Sequence, residues 1–158
     1  MRRPVKSAGI LLIAVLIILQ FLQPERNLGS EGSDIDLMAV LSVPDQVAVL
    51  LKNSCYDCHS NRTAYPWYSR ISPVSWYLAS HIREGKAELN LSEFGNLEKS
   101  RKVGALGDIC DVIDSGAMPL KSYLLIHRNA RIGQPGMDAL CSWSEAEAMK
   151  ILREGTSP

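Results

Sequence analysis

Two cysteines and a histidine stand together in the segment Cys55-Tyr56-Asp57-Cys58-His59. In this C-x-x-C-H spacing, each thiol can form a thioether with one vinyl group of a haem. The imidazole of the residue that follows is then held beside the iron as an axial ligand. The motif therefore predicts one covalent haem c, attached through Cys55 and Cys58 and ligated on its proximal side by His59.

Two other kinds of site also use a pair of nearby cysteines. A zinc site would need further cysteine or histidine ligands at short spacing, whereas Cys110 and Cys141 are single and far apart in the chain. A thioredoxin-like redox pair would need a βαβ setting, and the sequence shows no strand-like alternation. Haem attachment is therefore favoured over both alternatives.

The distal side of the iron has few candidate ligands. Met118 leads, because it lies in a loop where Gly116 gives the backbone freedom and Pro119 fixes the chain just after the sulfur. A thioether ligand favours Fe(II) and raises the reduction potential. The alternatives are His127, His81, Met137 and an iron with an open position.

Aromatic side chains are concentrated after the haem motif. Flat apolar rings can line a porphyrin, and a tryptophan N–H or tyrosine O–H can donate to a propionate. The candidate pocket residues are Tyr65, Trp67, Tyr68 and Trp76. Ordinary packing in the core is the alternative for each of them.

Cys110 and Cys141 remain once the haem cysteines are assigned. In an oxidising compartment, two such cysteines on apolar helix faces favour a disulfide over two free thiols. The bond would tie the helix before the Met118 loop to the last helix of the chain.

Helical periodicity dominates the sequence around these residues. Apolar side chains recur every three or four residues, and Pro44 and Pro73 stand near helix starts. Ser144 and Glu147 have capping-box spacing, which would break the last helix. The predicted class is all-α, a small cytochrome c-like domain around one covalent haem, with helices over 43–52, 73–85, 96–114 and 135–153.

The first 22 residues have the composition of a targeting segment. Basic residues, among them Lys6, precede an apolar run over 8–22, and no good cleavage site follows it. This pattern favours an uncleaved anchor in the inner membrane over a signal peptide that is removed. The basic flank predicts that the rest of the chain is periplasmic. Residues 23–37 are predicted to be a flexible linker and residues 38–158 the haem domain.

The charge balance does not indicate a nucleic acid partner. The formal net charge is zero, and the chain after the basic N-terminal residues carries 14 basic and 17 acidic residues, or −3. The expected partners are the membrane, through the N-terminal helix, and a redox protein whose identity is unknown.

Residues 44–152 resemble the bacterial haem-binding-domain family of small monohaem c-type cytochromes. The likeness covers about two thirds of the chain, in a specific order of short motifs. These are Cys55-Tyr56-Asp57-Cys58-His59-Ser60-Asn61, Pro66-Trp67-Tyr68, Pro73-Val74-Ser75-Trp76, His81, Gly85, Met118-Pro119 and His127. The resemblance implies haem c bound through Cys55, Cys58 and His59.

Single-electron transfer is the function these features favour. An iron with both His and Met ligands has no open position for a substrate and can change oxidation state with little rearrangement. The alternative is a haem-based sensor or gas-binding module with a displaceable distal ligand. An enzyme of the peroxidase type ranks lower, because no pair of distal acid and base residues can be assigned.

Overall fold

The computed structural model of the chain describes residues 2–154, with side chains from residue 6 onward. Residues 1 and 155–158, the ends of the predicted targeting segment and haem domain, lie outside the described residues. The fold is all-α, as predicted, and within residues 2–154 the β pairing is limited to an isolated bridge between Leu28 and Arg62. The α-helices are α1 (Arg2–Leu19), α2 (Leu37–Val40), α3 (Asp45–Ser54), α4 (Tyr56–His59), α5 (Val74–Glu88), α6 (Lys99–Asp114), α7 (Lys121–Leu124) and α8 (Gln134–Arg153). Short 3-10 helices span Trp67–Arg70, Leu91–Asn96 and Arg128–Ala130.

The two longest helices of the domain, α6 and α8, form its most extensive helix pair. They run antiparallel, because Lys99 at the start of α6 donates to the carbonyl of Leu152 near the end of α8. A disulfide joins Cys110 to Cys141 further along the same pair. The core against them also includes α2, α3 and the turn Leu91–Asn96, and its buried residues are Leu37, Val47, Leu51, Leu91, Phe94, Leu106, Ile109, Leu140, Trp143 and Ala148.

Helix α8 is continuous through Ser144, the position at which the sequence offers a break in the helix as an alternative. Ser144 is fully buried, and its hydroxyl donates to the carbonyl of Cys141 within the same helix. That bond supplies the partner that a buried hydroxyl needs, so the serine does not have to act as a cap. The capping interpretation of Ser144 is therefore wrong.

The segment predicted to be a flexible linker differs from that expectation. Asn27 accepts from the N–H of Thr63, and the N–H of Gly29 donates to the carbonyl of Asn61 at 2.8 Å. Further along, the N–H of Gly95 donates to Ile35, and the next residue, Asp36, is buried. Backbone pairing with the domain fixes this polar stretch, because its N–H and carbonyl groups find protein partners.

Helix α1 is apolar after its basic start, and most of its described side chains are exposed. Its end contacts the domain, since the side chain of Gln20 hydrogen-bonds both backbone groups of Ser72. Among the described residues, no helix combines the length and the apolar character needed to cross a membrane. The membrane anchor over residues 1–22 stays a prediction.

Candidate functional site

The haem motif forms a short turn of helix directly after α3. The N–H of Cys55 donates to Leu51 in the last turn of α3, and the N–H of His59 donates back to the carbonyl of Cys55 at 2.9 Å. Leu51 is fully buried, so the start of the motif is tied to the core. Cys55, Cys58 and His59 themselves are half-buried.

The imidazole of His59 is oriented by the end of α5. Its Nδ1 lies 2.9 Å from the carbonyl oxygen of Leu89. Because a carbonyl can only accept, Nδ1 carries the proton and donates. The lone pair therefore sits on Nε2, the nitrogen that remains available to a metal.

The two thiols are held in the neutral form. Burial, followed by the neighbouring Cys58, raises the pKa of Cys55 to about 12. Burial, followed by the carboxylate of Asp57, raises the pKa of Cys58 to about 11. A reactive disulfide-exchange pair needs a lowered pKa on its attacking thiol, so this environment suits uncharged sulfur, which a thioether also is.

Gly85 allows α5 to lie against the motif. A side chain at this position would place its Cβ 3.0 Å from the carbonyl oxygen of Cys58, closer than such contacts normally are. The sequence predicts that Gly85 ends the helix, but α5 continues to Glu88. The glycine therefore serves close packing, and the extra turn carries the chain to Leu89, the partner of His59.

Both residues between the cysteines bind distant parts of the chain. The hydroxyl of Tyr56 donates to the buried carboxylate of Asp36 at 2.7 Å. The carboxylate of Asp57 accepts from the hydroxyl of Tyr123 at 2.7 Å, and its backbone carbonyl accepts from Thr63. The motif is thus fixed from α2 on one side and from α7 on the other.

These tyrosines remain protonated donors. Burial, and then the hydrogen bond to Asp36, raise the pKa of Tyr56 above its ordinary value. Burial, and then the hydrogen bond to Asp57, do the same for the pKa of Tyr123. Each hydroxyl therefore keeps the proton with which it orients the motif.

His127 is one of the alternative distal ligands predicted from the sequence, and its side chain already has a hydrogen-bond partner. Its Nε2 lies 2.7 Å from the hydroxyl of Tyr68, and its ring stacks on Tyr123 at 4.2 Å between centroids. Binding iron through Nε2 would require breaking the bond to Tyr68. The arrangement makes His127 a link between α7 and the 3-10 helix that contains Tyr68.

His81 has a hydrogen-bond partner within its own helix, whereas Met118 lies in a loop. His81 donates from Nδ1 to the carbonyl of Tyr77 and lies against the ring of that residue. Met118 is half-buried in the loop between α6 and α7, where its N–H donates to Val112. This loop leads within five residues to Tyr123, which contacts the motif through Asp57.

The predicted pocket aromatics are spread over a wide surface. Tyr68 faces His127, whereas the hydroxyl of Tyr65 accepts from the N–H of Asn27. Trp76 donates to the carbonyl of Leu22, beyond the end of α1. Trp67 is 81% exposed and contacts the edge of Tyr68. Tyr68 is therefore linked to the motif indirectly, through His127 and then Tyr123.

The available groups fit a haem better than a zinc ion. Across residues 2–154, no three His, Cys, Asp or Glu side chains converge as metal ligands. A covalently attached haem would need two thiols at this spacing and one imidazole nitrogen, and Cys55, Cys58 and His59 are groups of these types. Leu125, two residues after Tyr123, is an exposed apolar side chain.

Several residues that shape the site are not identified by sequence reasoning. Leu89, Asp36 and Tyr123 act through contacts 20 to 66 residues away along the chain. The one local signal is that Tyr123 and His127 are four residues apart, which brings two rings to one side of a helical turn.

Comparison with known proteins identifies a family. The sequence pattern of a family described as "Haem-binding domain" matches residues 14–146. Neither the curated proteins nor the solved structures gave a match to the chain. The family match covers the motif, Met118 and both cysteines of the disulfide.

Proposed function

We propose that this chain, which belongs to the haem-binding domain family, is a monohaem c-type cytochrome that transfers single electrons in the periplasm. The observation that carries the proposal is the fixed imidazole of His59, whose Nδ1 donates to Leu89 and leaves Nε2 free. This nitrogen stands beside two thiols at the spacing of thioether attachment. When bound, the haem supplies a one-electron Fe(III)/Fe(II) couple.

The contribution of the protein is to keep the ligands still. Gly85 lets α5 pack against Cys58, and Asp36 and Tyr123 hold the two residues between the cysteines. A motif fixed on three sides moves little when the charge on the iron changes by one. Met118, proposed as the distal ligand, would leave no position at the iron open to a substrate, which favours electron transfer over catalysis there.

The absorption spectrum of the reduced protein tests this function. We expect the narrow bands of a low-spin haem, unchanged by carbon monoxide, because no axial position is open. In alkaline pyridine the spectrum should be that of a haem with both vinyl groups saturated, at one haem per chain. A large shift on adding carbon monoxide would favour a sensor or gas-binding module instead, and a protein without covalent haem would refute the assignment.

The location and attachment of the domain form a second proposal. The basic residues at the start followed by an apolar stretch support export, with the domain on the periplasmic side and residues 8–22 holding it to the inner membrane. Protease added to spheroplasts should digest the domain, and a high-salt wash should leave it with the membranes. A domain that is protected in spheroplasts and cleaved only after lysis would contradict export. Recovery in the soluble periplasmic fraction would contradict the attachment alone.

The electron donor or acceptor is proposed to be another redox protein. The chain after the basic N-terminal residues has a formal charge of −3 before the propionates of the haem are counted. A mildly acidic surface steers encounter with a partner of opposite charge, and salt weakens this effect.

A further inference from the structure

We propose that Arg26 binds a propionate carboxylate of the haem. The proposal rests on the covalent haem proposed above and adds a residue outside the haem motif to the site. Arg26 lies in the segment between α1 and α2, which the sequence predicts to be a flexible linker.

The guanidinium of Arg26 has a buried donor without a partner. Its Nε makes no hydrogen bond to any described residue, although the atom is buried. The guanidinium carbon lies 4.0 Å from the centre of the Tyr65 ring. Stacking of this kind occupies the face of the planar group, whereas its N–H donors lie in the plane. The Nε–H in this plane therefore lacks an acceptor, which a planar carboxylate would supply.

The segment that carries Arg26 is attached to the chain that leaves the haem motif. The side-chain amide of Asn27 donates to the carbonyl of Ser60, the residue directly after His59, at 2.9 Å. Asn27 also accepts from the N–H of Thr63, whose hydroxyl donates to Asp57 within the motif. These bonds hold Asn27, the residue after Arg26, against the chain that leaves His59.

The positive charge of Arg26 has no anionic partner among the described side chains around it. No described carboxylate forms an ion pair with Arg26, and Lys86 nearby binds only the amide oxygen of Asn27, at 2.9 Å. The neighbouring Arg62 differs, because it is exposed and pairs with Glu31 at 2.9 Å. The haem brings two carboxylates, and a guanidinium binds a carboxylate through two parallel N–H donors. Arg26 is therefore the cation in this region whose partner the haem supplies.

Loss of Arg26 should lower the reduction potential. A positive charge on a propionate favours the reduced haem, which carries one positive charge less than the oxidised form. In Arg26→Gln we expect the equilibrium constant for reduction to fall about tenfold, which is about 59 mV for a one-electron couple. The propionate bending band in the resonance Raman spectrum should shift as well, because it reports the hydrogen bonds of that carboxylate.

Arg62→Gln is the matched control, since it removes an arginine of the same region that already has a carboxylate partner. It should change neither the potential nor the Raman band. Arg26→Lys should recover most of the reduction potential but not the position of the propionate band. An ammonium keeps the positive charge but lacks the two parallel N–H donors of a guanidinium. A wild-type potential and an unshifted band in Arg26→Gln would overturn the proposal.

If the Arg26→Gln protein does not accumulate, the Arg26→Lys protein provides the test. An unshifted propionate band in the Raman spectrum of Arg26→Lys would then overturn the proposal. These outcomes are distinct from failure of the proposed function, in which the wild-type protein itself would carry no covalent haem.

Discussion

A protein in which both Cys55 and Cys58 are replaced by alanine is expected to carry no covalent haem. Each thioether needs one of these sulfurs, and both thiols stand on the turn of helix that positions His59. With the two bonds gone, the imidazole alone would hold haem reversibly. The measurement is haem staining after denaturing electrophoresis of protein made with c-type maturation machinery, with an immunoblot to show that the chain is present. We expect complete loss of the stained band.

The other two cysteines provide the control. Replacing Cys110 and Cys141 by alanine removes the same number of sulfurs, together with the disulfide that joins α6 to α8. This variant should keep its covalent haem, and its free energy of unfolding should fall by about 3 kcal/mol through the larger entropy of the unfolded chain. Haem that stays attached in the Cys55 and Cys58 variant would contradict the haem assignment.

Replacing Met118 by alanine is expected to open the distal side of the iron while the haem stays attached. The weak sulfur-to-iron charge-transfer band of the oxidised protein should vanish, and the reduced form should bind carbon monoxide. The potential should fall on the order of 0.1 V, a fraction of the ~0.8 V range that axial ligands span, because a thioether favours Fe(II). Absorption spectra and a redox titration measure all three changes.

Substitutions of Met137, His81 and His127 test whether the expected effect is specific to Met118. Met137 lies in the first turns of α8 and is half-buried, so Met137→Ala should leave the spectrum unchanged. His127 already bonds Tyr68 through Nε2, and His127→Ala should therefore leave the iron low-spin. If Met118→Ala keeps the wild-type spectrum while His81→Ala or His127→Ala gives a high-spin iron, the protein is a bis-histidine cytochrome.

The disulfide and the all-α class are features of the fold that local sequence patterns predict. Apolar side chains at three- and four-residue spacing predict the helices that the structure forms as α3, α5, α6 and α8, with ends displaced by up to three residues. Cys110 and Cys141 stand on the facing sides of α6 and α8, where two apolar helix faces meet. Periodicity predicts such faces because burial of apolar surface decides which side of a helix turns inward.

The short helices are a different case. Helices α2, α4 and α7, which have four residues each, are not predicted from the sequence. A single helical turn is unstable by itself, because its nucleation costs more than one hydrogen bond returns. Here Asp36 caps α2 with its side chain, and Tyr123 of α7 is held by the carboxylate of Asp57. Tertiary contacts therefore decide that these turns form.

The chemistry that depends on covalent spacing can be predicted from the amino-acid sequence alone. Cys55, Cys58 and His59 lie within five residues, so the chain brings them together whatever the rest of the fold does. The packing of the fold decided which nitrogen of His59 is free, because the carbonyl that fixes it belongs to Leu89, 30 residues away. It also decided that Arg26 lies over Tyr65 with an unpaired N–H. Hydrogen bonds and close packing act over a few ångströms in space, and the chain order does not encode which distant residues will come within that range.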